Sequence, residues 1–505
     1  MAAFLWLSGC SVGFNSERNA KDAGPPPQPE REFRGAWIAT VANIDWPSQP
    51  GLPSYDQQQE LLVLFDRLVS MNMNAVILQV RPAADALYAS DYEPWSWYLT
   101  GEMGRPPSPY YDPLEFAVTE AHKRGLELHA WFNPFRAGHR TFSDKFSDDH
   151  VSVQRPDLVV EYGEQYWMDP GMPDAREHSL RVMLDVVRRY DLDGIHMDDY
   201  FYPYPSRDDQ NKLISFPDTL SWRLAQETGV RMFPEDWRRS NINQFVERLY
   251  TEVKSIKPWV KVGISPFGIW RPGYPAGIKG LDAYDAIYAD ARQWLQRGWV
   301  DYLSPQLYWS VDSEGQSYEK LLDWWKEQNL QGRYVWPGNA IYRIDSHNWP
   351  VSEVIDQIKI TRGGQSNSGN ILFSMRYLDQ NIKGLSDSMT RQLYRKPALI
   401  PPMPWLSETI LQQPVVLKEE GMFGQRLSLK TAGQDEALQW IIRIRLRSRW
   451  YLFVEPGDLD EFPLERHFGS REVDEIVVSF VNRVGEESAT STIRKAVEER
   501  VAIGF

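Results

Sequence analysis

The sequence predicts an α/β protein: a (β/α)8 TIM barrel over residues 33–396, followed by a small all-β sandwich over residues 403–505. Three observations carry this. Short β-rich segments alternate with amphipathic helical stretches about eight times in some 360 residues. Helix-to-strand connections are short and strand-to-helix connections long. After the proline-rich residues 397–404 the helical period stops, and only short alternating strands follow.

The strand segments are 34–41, 75–80, 127–133, 194–199, 261–266, 302–308, 333–336 and 370–375. Helical spacing is clear between them. Residues 55–69 repeat Leu61, Leu62, Leu64, Phe65 and Leu68 on one face, and Asp112-Pro113 opens a helix that stops at Gly125. Residues 174–190 and 241–256 behave alike. An open doubly wound sheet is the competing architecture, but the long connections 81–112, 134–173, 200–240 and 266–287 all follow strands, as at the active-site face of a barrel. Beyond residue 403, strands are expected at 415–417, 427–429, 438–446, 450–454 and 476–481.

Side chains alternate along a strand, so apolar positions mark the face toward the helices. Ile195 and Met197 then face outward, and His196 and Asp198 face the barrel axis. The same count turns Gln79 and Arg81, then Glu127, His129, Trp131 and Asn133, inward. Ser265, Ser304, Gln306, Tyr308, Ser374 and Arg376 follow on later strands. A ring of polar groups at strand ends is costly to bury unless it binds something.

The segment Asp193-Gly194-Ile195-His196-Met197-Asp198-Asp199-Tyr200 ends a strand in two carboxylates and runs into Phe201-Tyr202-Pro203-Tyr204. Carboxylates cleave glycosidic bonds and flat rings stack on sugars, so this combination points to a sugar-cleaving site. Trp46, Trp131, Tyr200, Tyr202, Trp270, Tyr308 and Trp309 are candidate stacking platforms. Arg81, Arg136, Arg271 and Arg376 lie at or past strand ends, suited to an anionic ligand, or to salt bridges between loops.

Net charge is −14, which argues against nucleic acid as a partner. A large core accounts for most of the 21 Trp, 24 Tyr and 21 Phe, and carbohydrate surfaces would use the remaining minority. The single cysteine, Cys10, excludes an intrachain disulfide and follows Leu7-Ser8-Gly9, as in a lipoprotein signal. Residues 1–10 are therefore read as such a signal, cut short of the basic residues that a secretory leader carries. Residues 11–32, with Pro25-Pro26-Pro27, read as a flexible tether, so membrane attachment would be through an N-terminal lipid.

Several motifs occur in order. They include residues 33–48, Leu78-Gln79-Val80-Arg81-Pro82, Tyr111-Asp112-Pro113-Leu114, residues 121–125, residues 129–134, Met168-Asp169-Pro170-Gly171, residues 193–202, residues 255–258, Tyr288-Ala289-Asp290 and residues 305–309. Together they resemble the glycosyl-hydrolase-like family 10, over about residues 33–395. The resemblance implies a lipid-anchored glycosidase of the bacterial envelope, on the periplasmic face of the outer membrane in a Gram-negative cell. Its substrate would be peptidoglycan strands that have lost their stem peptides. No cofactor or metal is implied. The end of the chain, residues 477–489, resembles the last strands of a fibronectin type III-like sandwich.

The fourth strand also resembles the Asp-Gly-x-x-x-Asp strand of other sugar-hydrolase barrels, whose last Asp is the nucleophile, here Asp198. Asp199, Asp290 and Asp169 compete as proton donor. Retaining, inverting and acetamido-assisted schemes all stay open, and Asp290 could instead cap a helix. Asp45, His129, Asn133, His196 and Gln306 complete the expected substrate-binding set. A non-catalytic glycan-binding lipoprotein is one alternative. A metal-dependent deacetylase using His129, His196, Asp198 and Asp199 is another, without the spacing of a known metal motif.

Overall fold

The computed structural model describes residues 24–363, 367–406, 410–421, 424–433 and 436–495. Cys10 and the expected signal lie outside them. The barrel strands are β1 (Glu30–Ile38), β2 (Ala75–Arg81), β3 (Glu127–Phe132), β4 (Gly194–Met197), β5 (Lys261–Ile264), β6 (Tyr302–Leu303), β7 in the two pieces Tyr334–Val335 and Gly338–Asn339, and β8 (Ser368–Leu372). They pair in parallel in chain order. The first piece of β7 pairs with β6 and the second with β8, and β8 pairs with β1, so the sheet closes.

Each strand is followed by a helix: α1 (Ser54–Ser70), α2 (Pro113–His122), α3 (Pro173–Arg189), α4 (Pro234–Ile256), α5 (Ala291–Arg297), α6 (Tyr318–Glu327), α7 (Val351–Arg362) and α8 (Leu385–Gln392). Local chemistry sets their ends. The Asp112 carboxylate accepts from the Leu114 and Glu115 amides at 3.0 and 3.2 Å, with Pro113 in the first turn of α2. Helix α1 buries Leu61, Leu64, Phe65 and Leu68 against the sheet.

The two faces of the sheet separate as alternation requires. Leu78, Leu128, Ile195 and Met197 join the large core beneath the helices. Phe33, Trp37, Ile77, Trp131, Tyr302 and Trp336 fill the axis. Among the described residues no helix is long and apolar enough to cross a membrane.

The C-terminal residues form two antiparallel sheets. One has the order 415–421, 424–430, 461–463 and the other the order 449–456, 439–446, 475–481, 491–494. Leu427, Phe462, Trp440, Ile442, Val478 and Phe480 share the core between them. One short helix, Leu464–Phe468, interrupts the otherwise all-β module.

Two segments differ from expectation. The proline-rich break is built into the barrel: Ala398–Leu399 pairs with Glu30 and Arg31, and Ile400 and Met403 are buried below the axial rings. The end of the expected tether is also placed. Residues 30–32 are part of β1, and before them Pro27 O and Gln28 Oε1 accept from Arg443 at 2.8 and 2.9 Å, while Gly24 O accepts from the Trp450 indole at 3.1 Å.

The sandwich meets the barrel at the N-terminal ends of its strands. Lys261, buried at the start of β5, donates to Glu127 at 2.7 Å and to Arg483 O at 2.9 Å. Arg31 Nη1 donates to Gly485 O at 2.6 Å, and Gln439 reaches Gly125 O at 2.9 Å. Lys261→Met would leave Glu127 charged and buried, with an expected loss of about 3–5 kcal/mol in urea denaturation. The double variant with Glu127→Gln should recover most of it.

Candidate active site

A cavity of about 440 Å³ opens at the C-terminal ends of the strands, and Asp198 and Asp199 both line it. Strand β4 ends at Met197, so the alternation that would have turned Asp199 away ends with it. Asp198 is 6% exposed and Asp199 2%. Asn133 Nδ2 donates to Asp198 Oδ2 at 3.1 Å and the Tyr200 amide to Oδ1 at 3.3 Å. The Tyr204 hydroxyl donates to Asp199 Oδ2.

A line of side chains fixes this orientation. Gln79 Oε1 accepts from the Thr40 and Val41 amides, both at 2.9 Å, so its Nε2 must face Asn133 Oδ1, also at 2.9 Å. Asn133 is thereby left with its amide nitrogen toward Asp198. Gln306 Nε2 is tied to Ser265 O at 3.0 Å, beside Asp199.

Burial pushes the Asp198 carboxyl up to about 7, and the neighbouring charge of Asp199 adds to it, against the pull of Arg136, the Tyr200 amide and Asn133. Asp199 is raised too, again by burial, with Tyr204 and Gln306 opposing. Arg136 lies 4.3 Å from the centroid of Tyr200. Such a pair holds one proton near neutrality and can act as acid and base together. Trp37, Trp131, Tyr200, Tyr308, Tyr342 and Phe373 give the cavity aromatic walls.

A family model described as glycosyl hydrolase-like 10 matches residues 32–351. The glycosyl hydrolase YngK of Bacillus subtilis is 43% identical over 418 residues, 80% of this chain and 80% of its own. The chain belongs to the glycosyl hydrolase-like 10 family. Glycosyl hydrolase DigH of Escherichia coli K12 is 34% identical over 415 residues, 75% of this chain and 92% of its own. Among solved structures, the glycoside hydrolase domain of PgaB from Bordetella bronchiseptica covers 72% of this chain and 99% of its own, at 14% identity and a TM-score of 0.46.

In this glycosyl hydrolase-like 10 chain the cavity gathers Gln79, Trp131, Arg136, Asp198, Asp199, Tyr200, Gln306, Tyr308 and Arg376 from the expected set. Asn133 stands behind Asp198. Asp45 stands behind the rim, its carboxylate accepting from Ala39 N, Ser374 Oγ and Arg376 N, each at 2.7 Å.

Other expected residues serve elsewhere. The β2–β3 register slips between Gln79 and Arg81, so Arg81 pairs with outward-facing Phe132. There it binds Glu93 through Nε at 2.7 Å and the Asn133 carbonyl at 2.6 Å. His129 and His196 do face the axis, but below the cavity, where both contact the Tyr302 hydroxyl at 2.8 and 3.0 Å. Among the described residues no group of three or more His, Cys, Asp or Glu is placed to hold a metal.

Asp290 caps α5 through the Gln293 amide and accepts from the Trp270 indole at 3.0 Å, away from the cavity, as the capping alternative required. Arg271 pairs with Asp282 and Asp285. Asp169 binds Ser221 Oγ at 2.5 Å and the Gly171 amide at 2.8 Å. Trp46 is in the core with its indole on Gln57 O, Tyr202 packs on Phe216 and Tyr288, and Trp309 packs on Phe267.

Sequence reasoning missed Trp37, Tyr342, Phe373 and Tyr377, and it named Tyr204 only as part of the aromatic run after Asp199. Trp37 was accessible by alternation from Phe33 on β1. Tyr342 and Tyr377 come from helix starts that no strand count reaches, whereas Phe373 lies in the expected strand 370–375, where the count that turned Ser374 inward turned it outward; Ile371 and Phe373 instead pack with the axial rings and Leu372 with the core beneath the helices.

Asp198 ionises at about 7 in the folded chain against 3.8 for an ordinary carboxyl, so between those values the folded state holds the extra proton. Stability therefore falls as pH rises across that window. Asp198→Asn removes the penalty. Its melting temperature relative to the unsubstituted chain should be higher at pH 8 than at pH 4, by the equivalent of about 1–3 kcal/mol. Calorimetry at the two pH values checks this.

Proposed function

We propose that the protein is a glycosidase of the bacterial cell envelope that cleaves peptidoglycan strands lacking stem peptides, with Asp198 and Asp199 as its acid–base pair. The observation that carries this reading is the adjacent, buried carboxylates in one aromatic-walled cavity at the barrel mouth. Relatives named glycosyl hydrolases support the reaction class, and the family resemblance supports the glycan.

In place of the nucleophile role that the strand resemblance implies, Asp198, raised to about 7 by burial, carries in this reading the proton that the leaving oxygen receives. Asp199, held by Tyr204 and Gln306, is the charged partner that stabilises the developing positive ring or orients an acetamido group to attack it, and water then adds to the anomeric carbon and returns a proton to Asp198. The aromatic walls hold sugar faces. A lipid on Cys10 would keep the enzyme at the membrane.

The test is mass analysis of products from purified peptide-free strands, with and without a chelator. Shortened oligosaccharides that persist under chelation are expected. Loss of acetyl groups would favour a deacetylase, and binding without products would favour a glycan-binding protein. Asp198→Asn should lower kcat by on the order of 10²–10⁴, and the rate of the unsubstituted enzyme should fall as pH rises through about 7.

A further inference from the structure

Arg376 differs from the other arginines expected near the mouth. Arg81 is neutralised by Glu93 and Arg271 by Asp282 and Asp285. Arg136 lies on the Tyr200 ring and depresses both catalytic carboxyls. The Arg376 guanidinium lines the cavity and is solvent-exposed, without a hydrogen bond or ion pair to any described residue.

Its backbone, in contrast, is pinned. Asp45 Oδ1 accepts from Arg376 N and from Ser374 Oγ, both at 2.7 Å, and Asp45 Oδ2 accepts from Ala39 N. Asp45 thus spends its hydrogen bonds on the backbone and on Ser374, and the Arg376 side chain acts on it through charge alone, with no hydrogen bond or salt bridge. In a chain of net charge −14, a guanidinium that makes no salt bridge, on the rim of the cavity that the two carboxylates line, is placed for an anion that arrives with the ligand.

We infer that Arg376 reads a free carboxylate on the substrate sugar and thereby selects strands whose lactyl groups carry no peptide. The inference rests on the glycosidase reading for its substrate. A stem peptide joins the lactyl carboxyl as an amide, which removes the charge and one acceptor oxygen. Only the peptide-free sugar offers the planar anion that a guanidinium binds through two parallel hydrogen bonds. Selectivity for peptide-free strands then follows from charge as well as from bulk.

The experiment separates the two. Peptide-free strands are compared with the same strands after carbodiimide coupling of their lactyl carboxyls to methylamine, a change that removes charge while adding little volume. The unsubstituted enzyme should lose about 10- to 100-fold in kcat/KM on the amidated strands, as expected for one charged hydrogen-bonded contact. Arg376→Gln should lose as much on the free strands, with no further loss on amidation, and Arg376→Lys should regain part. Equal rates of the unsubstituted enzyme on both strands would overturn the inference, as would an Arg376→Gln enzyme that still discriminates. If the unsubstituted enzyme cleaves neither, the glycosidase reading fails. The ratio of its dissociation constants for the two strands then decides the role of Arg376 by the same factor.

Discussion

The indole of Trp37 can only donate, and the barrel interior is organised around that fact. It donates to His196 Nε2 at 3.2 Å, so His196 is neutral with its proton on Nδ1, consistent with burial pushing its pKa down. That proton goes to the Tyr302 oxygen, the Tyr302 hydroxyl donates to His129 Nδ1, and His129 Nε2 is left to donate to Glu127 at 3.2 Å. Glu127 closes the line on Lys261. Every proton from the cavity wall to the barrel floor follows from the first donor.

Such an interior needs space. A Cβ on Gly263 would lie 1.9 Å from Tyr302 Cζ, and one on Gly194 would lie 2.7 Å from His129 Nδ1, so the strands opposite these rings carry glycine. Phe33 stacks on Trp336 with centroids 4.2 Å apart. Rings occupy the axis where aliphatic layers are usual in barrels. The paired carboxylates Asp198 and Asp199 sit above this packed column.

The barrel was legible because the period of the strands and the asymmetry of the connections both survive in the sequence. Asp198 was legible for the same reason: Ile195 and Met197 fix its side of β4. The reading failed where alternation itself fails. A register slip turned Arg81 out of the axis, and the end of β4 brought Asp199 back in. Loop residues obey no period, so Asp290 could not be told from a helix cap, and Tyr342 and Tyr377 gave no signal. The family match ends at residue 351, yet β8 and α8 lie beyond it and complete the closed sheet.

The contact between Gly24 and Trp450 has a geometric consequence. Gly24 lies against the sandwich, at the pole where the strands begin, while the cavity opens at the pole where they end. From Cys10 to Gly24 a fully extended chain reaches at most ~50 Å. An anchor on Cys10 would act as a short leash fastened behind the molecule. On that proposal the paired carboxylates could reach no farther from the anchoring surface than the leash plus the length of the sandwich and barrel.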